Sequence, residues 1–460
     1  MREAVMDAAG FAAEQFGAVD LGDRRRNRRL VTIAEAIARH PGDTLPRKFG
    51  SPAELKAMYR LMNHEVVTHS AVLQPHRERT RAAMVASAEA VLILHDATEL
   101  DYTGLLSLKS ELGQIGNGTH RGYICHNSLA LNARTGEVMG LIAQHLHHRV
   151  RRKKKEKRTS SRKRATRESR LWTTVSEAIG PTPVSCHWID VCDRGADVFE
   201  FLEGERTRGR DFVVRSTHNR RILTAEGEEA LLREHLRSLP SEGTRTVVVG
   251  RASRAVTLCV AMAKVQLRCP QVHSGEHGND PLTVSAIRTW EANPPQGVEP
   301  LEWFLLTPAC VDVACACERV GYYESRWVIE EYHKCLKTGC GIERLQFTTQ
   351  GSLQPTIGVL SVVAVLLLSL RDLGSRGSHA DEPARKYIDA ECVDVLCGLR
   401  KKDAKAPMTV KECLLALARL GGHQNRKGDG MPGWQTLWHG WMQLQAVLAA
   451  LHTLQLKQSG

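Results

Sequence analysis

Apolar and polar positions recur with different periods along the chain. These periods divide it into a helical N-terminal part, a strand-rich middle and a helical C-terminal part. Leu30, Ile33, Ala34 and Ile37 fall at helical spacing directly after Arg24, Arg25, Arg26, Arg28 and Arg29, predicting an amphipathic helix that begins in a basic cluster. Ser51 followed by Pro52 supplies a cap and a first-turn proline for another helix. From Ala90 the period changes. Val91 to Leu94 is a continuous apolar run ending at His95-Asp96, and strands are expected at 127–131 and 138–144 around the turn Ala133-Arg134-Thr135-Gly136. A helix at 169–179, a strand at 185–191 running into Asp193, a helix from about Ala196 and a strand at 212–214 follow.

Three strands, helix, strand, helix, strand is an α/β order that suits an RNase H-like catalytic core. Strand patterns at 246–249, 255–265, 282–289 and 303–306 predict a β-strand insertion over about 217–308. Helical periodicity resumes at Arg319 and dominates after Asp372. The expected plan is a helical module at 1–75, a catalytic domain at 76–372 and a helical domain at 373–460. The apolar run 358–370 is too short to span a bilayer and reads as a buried helix. Trp434, Leu437, Trp438, Trp441, Leu444, Leu448 and Leu451 form one wide stripe, suited to a core helix or to contact between two copies.

Composition changes this picture in one respect. With 42% hydrophobic and 25% charged residues the chain is of ordinary globular type. Its net charge of +12 is concentrated, because Arg149 to Arg170 holds thirteen Lys/Arg against Glu156 and Glu168. Such a segment is either a local contact for a polyanion such as nucleic acid or a solvated basic loop. The N-terminal residues include acids and no apolar core, so neither a signal nor a transit peptide is expected, and the cytoplasm is the expected compartment. Thirteen cysteines without paired CxxC spacing suggest reduced thiols, and the spacings of Cys315, Cys317, Cys335 and Cys340 do not fit the usual structural zinc sites.

Candidate chemistry lies in the acids. Asp96 and Asp193 each end an apolar strand, and adjacent parallel strands would bring both to one sheet edge. Taken singly, an Asp after a strand is more often a helix cap or turn residue. Tyr323, Arg326, Glu330 and Lys337 have offsets of 0, 3, 7 and 14, which fall within roughly 60° around an ideal helix. One face would then offer a carboxylate flanked by two cations and a phenol, suited to a metal site with phosphates passing it. The alternative is a solvated face with an Arg–Glu pair worth a few tenths of a kcal/mol. Phosphodiester hydrolysis and transfer need an activated nucleophile and charge neutralisation, which two divalent ions ~3.5–4 Å apart supply.

The order YxxRxxxExxxxxxK, carried by Tyr323, Arg326, Glu330 and Lys337, resembles the signature of DDE transposases of the insertion-sequence-four family. The likeness continues in HDAT at Asp96, CDRGAD at Asp193, FVVRSTH at Arg215, PLEWFLLT at Trp303, the N-terminal LGDRRRNRRL and the C-terminal WQTLWHGWMQLQ. It implies a bacterial cut-and-paste transposase with an RNase H-like core, in which Asp96, Asp193 and Glu330 hold two Mg²⁺ or Mn²⁺ ions. By the same resemblance Arg215, Tyr323, Arg326, Lys334 and Lys337 contact the terminal DNA strand, and Trp303 shelters an extruded base during hairpin formation. Arg24, Arg25, Arg26 and Arg28 belong to the module that reads the terminal inverted repeats. Target DNA is the second nucleic-acid partner, and the C-terminal stripe pairs two protomers in the DNA complex. No membrane is implied. A nuclease that cuts without joining, or a DNA-binding descendant without activity, remains open on the sequence alone.

Overall fold

A computed structural model describes the chain apart from residues 1–7, 150–166, 250–253, 271–277, 279, 309, 376–378, 400–406, 427–428, 430–431 and 459–460. Most of the basic segment 149–170 therefore lies outside the described residues. What remains is a mixed α/β fold, with helices at both ends of the chain and a twelve-stranded mixed sheet between them.

The N-terminal helices follow their local signals. Helix α1 (Ala8–Phe16) precedes α2 (Arg24–Arg39), where the Asp23 side chain caps the Arg25 amide and Leu30, Ile33, Ala34, Ile37 and Ala38 are buried. A short α3 (Leu45–Lys48) leads to α4 (Pro52–Met62), capped by Ser51 as its sequence predicts. Helix α5 (His69–Ala86) then runs through residue 75 and packs on the sheet.

The sheet is built on β1 (Val91–Asp101), a short β2 (Gly113–Ile115), β3 (His120–Asn132) and β4 (Val138–His147). Gly136, with φ 68°, closes the β3–β4 turn, and the Asn132 carboxamide accepts the Arg134 and Thr135 amides. Helix α6 (Leu171–Ile179) connects to β5 (Trp188–Cys192), and α7 (Phe199–Thr207) connects β5 to β6 (Asp211–Arg215). Strands β1, β5 and β6 are parallel neighbours, while β3 flanks β1 and β4 flanks β3 in antiparallel sense. The expected strand and helix order is present, with β2 as an additional short strand.

The strand-rich region does not stand apart from this sheet. After β7 (Arg221–Leu223), β8 (Glu229–Leu231) and α8 (Leu232–Ser238) come β9 (Gly243–Val249), β10 (Arg254–Leu267), β11 (Leu282–Glu291) and β12 (Glu302–Thr307). Strand β12 pairs with the edge of β6 through Leu305↔Arg215 and Leu306↔Val214, so the core sheet continues into the insertion. The unexpected strands β7 and β8 have three residues each, too few to show a period.

Two apolar expectations change in three dimensions. The 358–370 run belongs to a longer helix, α11 (Gln350–Ser375), whose segment 350–370 is long and apolar enough to cross a bilayer. It is instead 89% buried by the surrounding protein over its most apolar window, as a central core helix is. The C-terminal stripe lies on α14 (Trp434–Gln458), packed against α13 (Val410–Leu420), α12 (Ala390–Leu399) and α11. Trp434, Leu437, Trp438, Trp441, Leu444 and Leu448 are buried within the protomer. That stripe is consumed by the chain's own core and is not an exposed dimer face. Leu451 and Leu454, further along, are exposed.

The terminal parts also meet. Lys48 Nζ donates to the His40 and Pro41 carbonyls, Arg344 donates to Gly42 O at 2.8 Å, and Trp441 Nε1 donates to Ala38 O at 3.3 Å. Carbonyls in the last turn of α2 and in the residues just after it, which lack helical partners, are thus satisfied by residues from three regions of the chain. Burial lowers the Lys48 ammonium to about 8.

Candidate active site

Strand β1 extends five residues beyond Asp96, but its parallel partner β5 stops at Cys192. The last registered pair is His95↔Cys192. The next residue along each segment is an aspartate, so Asp96 and Asp193 fall at neighbouring positions just past the carboxyl end of β5, close enough for Asp193 to act on the Asp96 carboxyl. Oδ1 of Asp193 accepts the Gly195 amide at 2.9 Å, and Oδ1 of Asp96 accepts the Ala97 amide at 2.8 Å.

Glu330 comes from a different part of the chain. Helix α9 (Val313–Glu324) ends before α10 (Trp327–Lys334), which passes into a π-helical turn at Cys335–Gly339. The single straight helix expected from Tyr323 to Lys337 is therefore broken. Ser325 Oγ bonds back to Gly321 O at 3.3 Å, an interaction that bends helices, and the Arg326 amide bonds to Tyr323 O. Arg326 sits at the break, with Nη1 3.1 Å from Asp96 Oδ2 and Nη2 paired with Glu330. One guanidinium thus spans two of the three acids. Burial, together with Asp193, pushes the Asp96 carboxyl up to about 6, with Arg326 opposing and Glu330 adding to the rise. That pattern is the electrostatic mark of crowded carboxylates.

Further predicted residues surround this cluster. Tyr323 is 5% exposed, and its ring meets Trp303 edge-on at 5.2 Å. Burial raises its phenol, while Arg215 and Arg326 act the other way. Arg194, Arg215 and Trp303 line a cleft of about 750 Å³ with Arg233, Arg237, Arg288, Trp290 and Phe304. Arg237 and Arg288 are held by Glu302, Arg233 and Arg237 lie over Phe304, and Arg288 lies over Trp290. Guanidinium groups over aromatic faces, in a cleft lined also by Arg194, the residue after Asp193, suit phosphate and base contact.

Lys337 departs from the helical-wheel expectation. It lies in the π turn and pairs with Glu343 at 3.1 Å. Lys334 is exposed and stands over the Trp327 ring at 5.0 Å. Trp327, 53% exposed beside Arg326, is a neighbour of the site that sequence reasoning misses. Its signal is a large aromatic at the start of a helix whose buried face is supplied by Val328, Ile329 and Tyr332. Arg24, Arg25 and Arg28 are exposed on α2, while half-buried Arg26 donates to Leu21 O. These arginines belong to the N-terminal module, not to the carboxylate cluster.

Behind the aspartates is a buried ionic network that sequence patterns do not reveal. His95 Nε2 meets Asp190 Oδ1 at 2.5 Å, and Arg210 Nη1 reaches the same oxygen at 3.2 Å. Although buried, Asp190 is held below the ordinary carboxylate range by Arg210 and His95, and burial beside Asp190 pushes Glu205 up to about 8. The network ties β1 to β5 one residue from Asp96 and three residues from Asp193.

Among the described residues, no three His, Cys, Asp or Glu side chains stand as a formed metal cage. The donor chemistry nevertheless suits a hard divalent cation, since Asp96, Asp193 and Glu330 offer carboxylate oxygens. Arg326 supplies the positive charge between two of them. A cation is compatible with the site if that guanidinium turns away.

The fold and site define a mixed α/β protein with a basic, aromatic-lined cleft at an acidic sheet edge. Residues 8–67 match the family model described as transposase DNA-binding. The match covers α1 to α4 and supports reading the chain as a transposase with DNA as its partner.

Proposed function

We propose that this protein is a cut-and-paste DNA transposase of the insertion-sequence-four type, with an RNase H-like core. Its N-terminal module binds terminal inverted repeats, and its carboxylate edge cleaves the ends and joins them to target DNA. The observation that carries this reading is the β1–β5 register, which ends one residue short of Asp96 and Asp193, together with the link from Asp96 to Glu330 through Arg326, in a chain with a transposase DNA-binding match. Asp96, Asp193 and Glu330 would hold Mg²⁺ or Mn²⁺, two per site. Bound there, the ions supply nucleophile activation and neutralisation of charge on the leaving oxygen.

The chain's own residues supply position. Arg326, released from the acids, meets a phosphate, while Arg215 and Tyr323 orient the terminal strand. Lys334 and Lys337 add positive charge beyond Glu330. Trp303 and the arginine cleft receive a nucleotide extruded when the end closes into a hairpin. Two protomers bring two ends together, using surfaces other than the buried α14 stripe.

Cleavage and strand transfer on DNA carrying the ends test the reading. Asp96→Asn, Asp193→Asn and Glu330→Gln should each retain end binding and lose cleavage by ~10³-fold or more, or about 4 kcal/mol of barrier. End-dependent cleavage surviving in these variants refutes the triad. Cleavage without joining in the wild type refutes the transposase assignment in favour of a nuclease.

A further inference from the structure

We propose that Asn127 and His333 are positioning residues that hold the Glu330 helix at a fixed distance from the strand edge bearing Asp96; their catalytic consequence rests on the carboxylate reading above. Asn127 lies on β3 directly opposite Asp96, and cross-strand partners present their side chains on one face. His333 lies one turn after Glu330 on α10, so it projects from the same side of that helix. Between them Asn127 Nδ2 donates to His333 Nε2 at 3.0 Å, spanning 206 residues of sequence. Asn127 is fully buried and His333 is 9% exposed.

The bond has a determined direction. Asn127 Oδ1 accepts from Gln144 Nε2 at 2.7 Å, so its amide nitrogen faces His333. Gln144 Nε2 also donates to Ser361 Oγ on α11 at 2.9 Å, and its Oε1 meets His69 Nε2 on α5 at 2.9 Å. Each link sets the orientation of the next, from α5 through β4 and β3 to α10. Since His333 Nε2 accepts, the ring is neutral with its proton on Nδ1. Burial, with Lys337 and Arg326 nearby, lowers that ring to about 3, which keeps it an acceptor.

Stability alone does not explain this chain. Two buried polar groups replaced together by apolar groups of the same shape cost little. A hydrogen-bonded pair adds a defined separation that apolar packing does not impose. Catalytic carboxylates need positioning to within ~0.5 Å. The break before α10 and the π turn after it interrupt regular α-helix at both ends of this eight-residue helix, so lateral ties help to set its height: Tyr332 Oη donates to Ser361 O at 3.1 Å on the α11 side, and the Asn127–His333 bond is the tie to the strand opposite Asp96.

The test uses the full chain with Asn127→Leu, His333→Leu and His333→Gln, the last retaining an acceptor oxygen. Hydrogen exchange of the segment 327–339 is measured by mass spectrometry, and Mn²⁺ affinity by calorimetry, with Glu330→Gln as the control for the carboxylates. Either leucine variant should speed exchange in that segment about tenfold, equivalent to one net hydrogen bond. Exchange in α2 and β10 should stay unchanged. Mn²⁺ affinity should fall about tenfold, as when an outer partner of a metal site is lost, and His333→Gln should restore both. If Asn127→Leu does not fold, His333→Leu decides alone. Unchanged exchange at 327–339, or a uniform increase over the whole chain, overturns the proposal. A wild type whose Mn²⁺ binding is absent or unaffected by Glu330→Gln overturns the carboxylate reading separately, with exchange still deciding whether Asn127 and His333 hold the helix.

Discussion

Replacing Arg326 by glutamine removes a cation that joins Asp96 to Glu330, and the consequence should depend on whether a divalent ion is present. Its two ion pairs, one at 3.1 Å, involve side chains between 16% and 29% exposed, so neither full burial nor full solvation describes them. Coulomb attraction at ~4 Å and an effective dielectric near 20 is about 4 kcal/mol per pair before desolvation. After desolvation, a charged hydrogen bond keeps roughly 1–2 kcal/mol in such a setting. Arg326→Gln should therefore lose about 2–3 kcal/mol in chelator, partly through repulsion among Asp96, Asp193 and Glu330. A divalent ion binds the folded state alone, and at a hundred times its Kd it adds about 2.7 kcal/mol. Denaturant unfolding in EDTA and in millimolar Mg²⁺ measures both terms. Wild type and variant should differ in EDTA and converge in Mg²⁺. Adding Asp96→Asn should relieve the EDTA defect, with a coupling of about 1 kcal/mol or more. A constant gap in both buffers, or no coupling, refutes the idea that Arg326 stands where a cation acts.

Two other outcomes follow from local geometry. His76 Nε2 accepts the Leu141 amide at 2.9 Å and Nδ1 faces Gln15 Oε1 at 2.6 Å, so the ring must be neutral, and burial lowers it to about 4. Above pH ~6.5 the ring is neutral in both states; as pH falls from there toward about 4 only the unfolded chain gains the proton, so stability falls, by on the order of 3 kcal/mol. Urea midpoints across this window should show that loss and a shallower slope in His76→Gln; parallel slopes contradict it. Exposed Arg25 and Arg28 on α2 should each contribute about one unit to the salt dependence of end binding if they neutralise phosphates. Fluorescence anisotropy of Arg25→Gln and Arg28→Gln over a salt series checks this, and an unchanged slope removes them from the interface.

Several features are legible in local sequence alone. Ser51 acts as a cap, and Gly136 closes the β3–β4 turn, because these roles depend on neighbouring backbone groups and need no distant partner. The apolar run before Asp96 reads as a strand that ends there, whereas β1 continues to Asp101. Periodicity reveals an apolar run but not how far antiparallel pairing with β3 carries it. The helical wheel joins Tyr323, Arg326, Glu330 and Lys337 on one ideal cylinder, and the turn at Ser325 breaks that cylinder. Arg326 still reaches Glu330, but Lys337 turns to Glu343.

By itself the sequence determined the order of most helices and strands, which faces are apolar, and that acids lie at the ends of apolar runs. Those properties arise from hydrogen bonds and packing over a few residues. Only the tertiary structure decided that Arg326 lies on Asp96, 230 positions away, and that Asn127 lies on His333. It also decided that the Trp434–Leu448 stripe is covered by the chain's own helices. An apolar stripe or a charged face specifies the kind of partner it requires, but the partner's identity depends on which distant elements the sheet and core bring together.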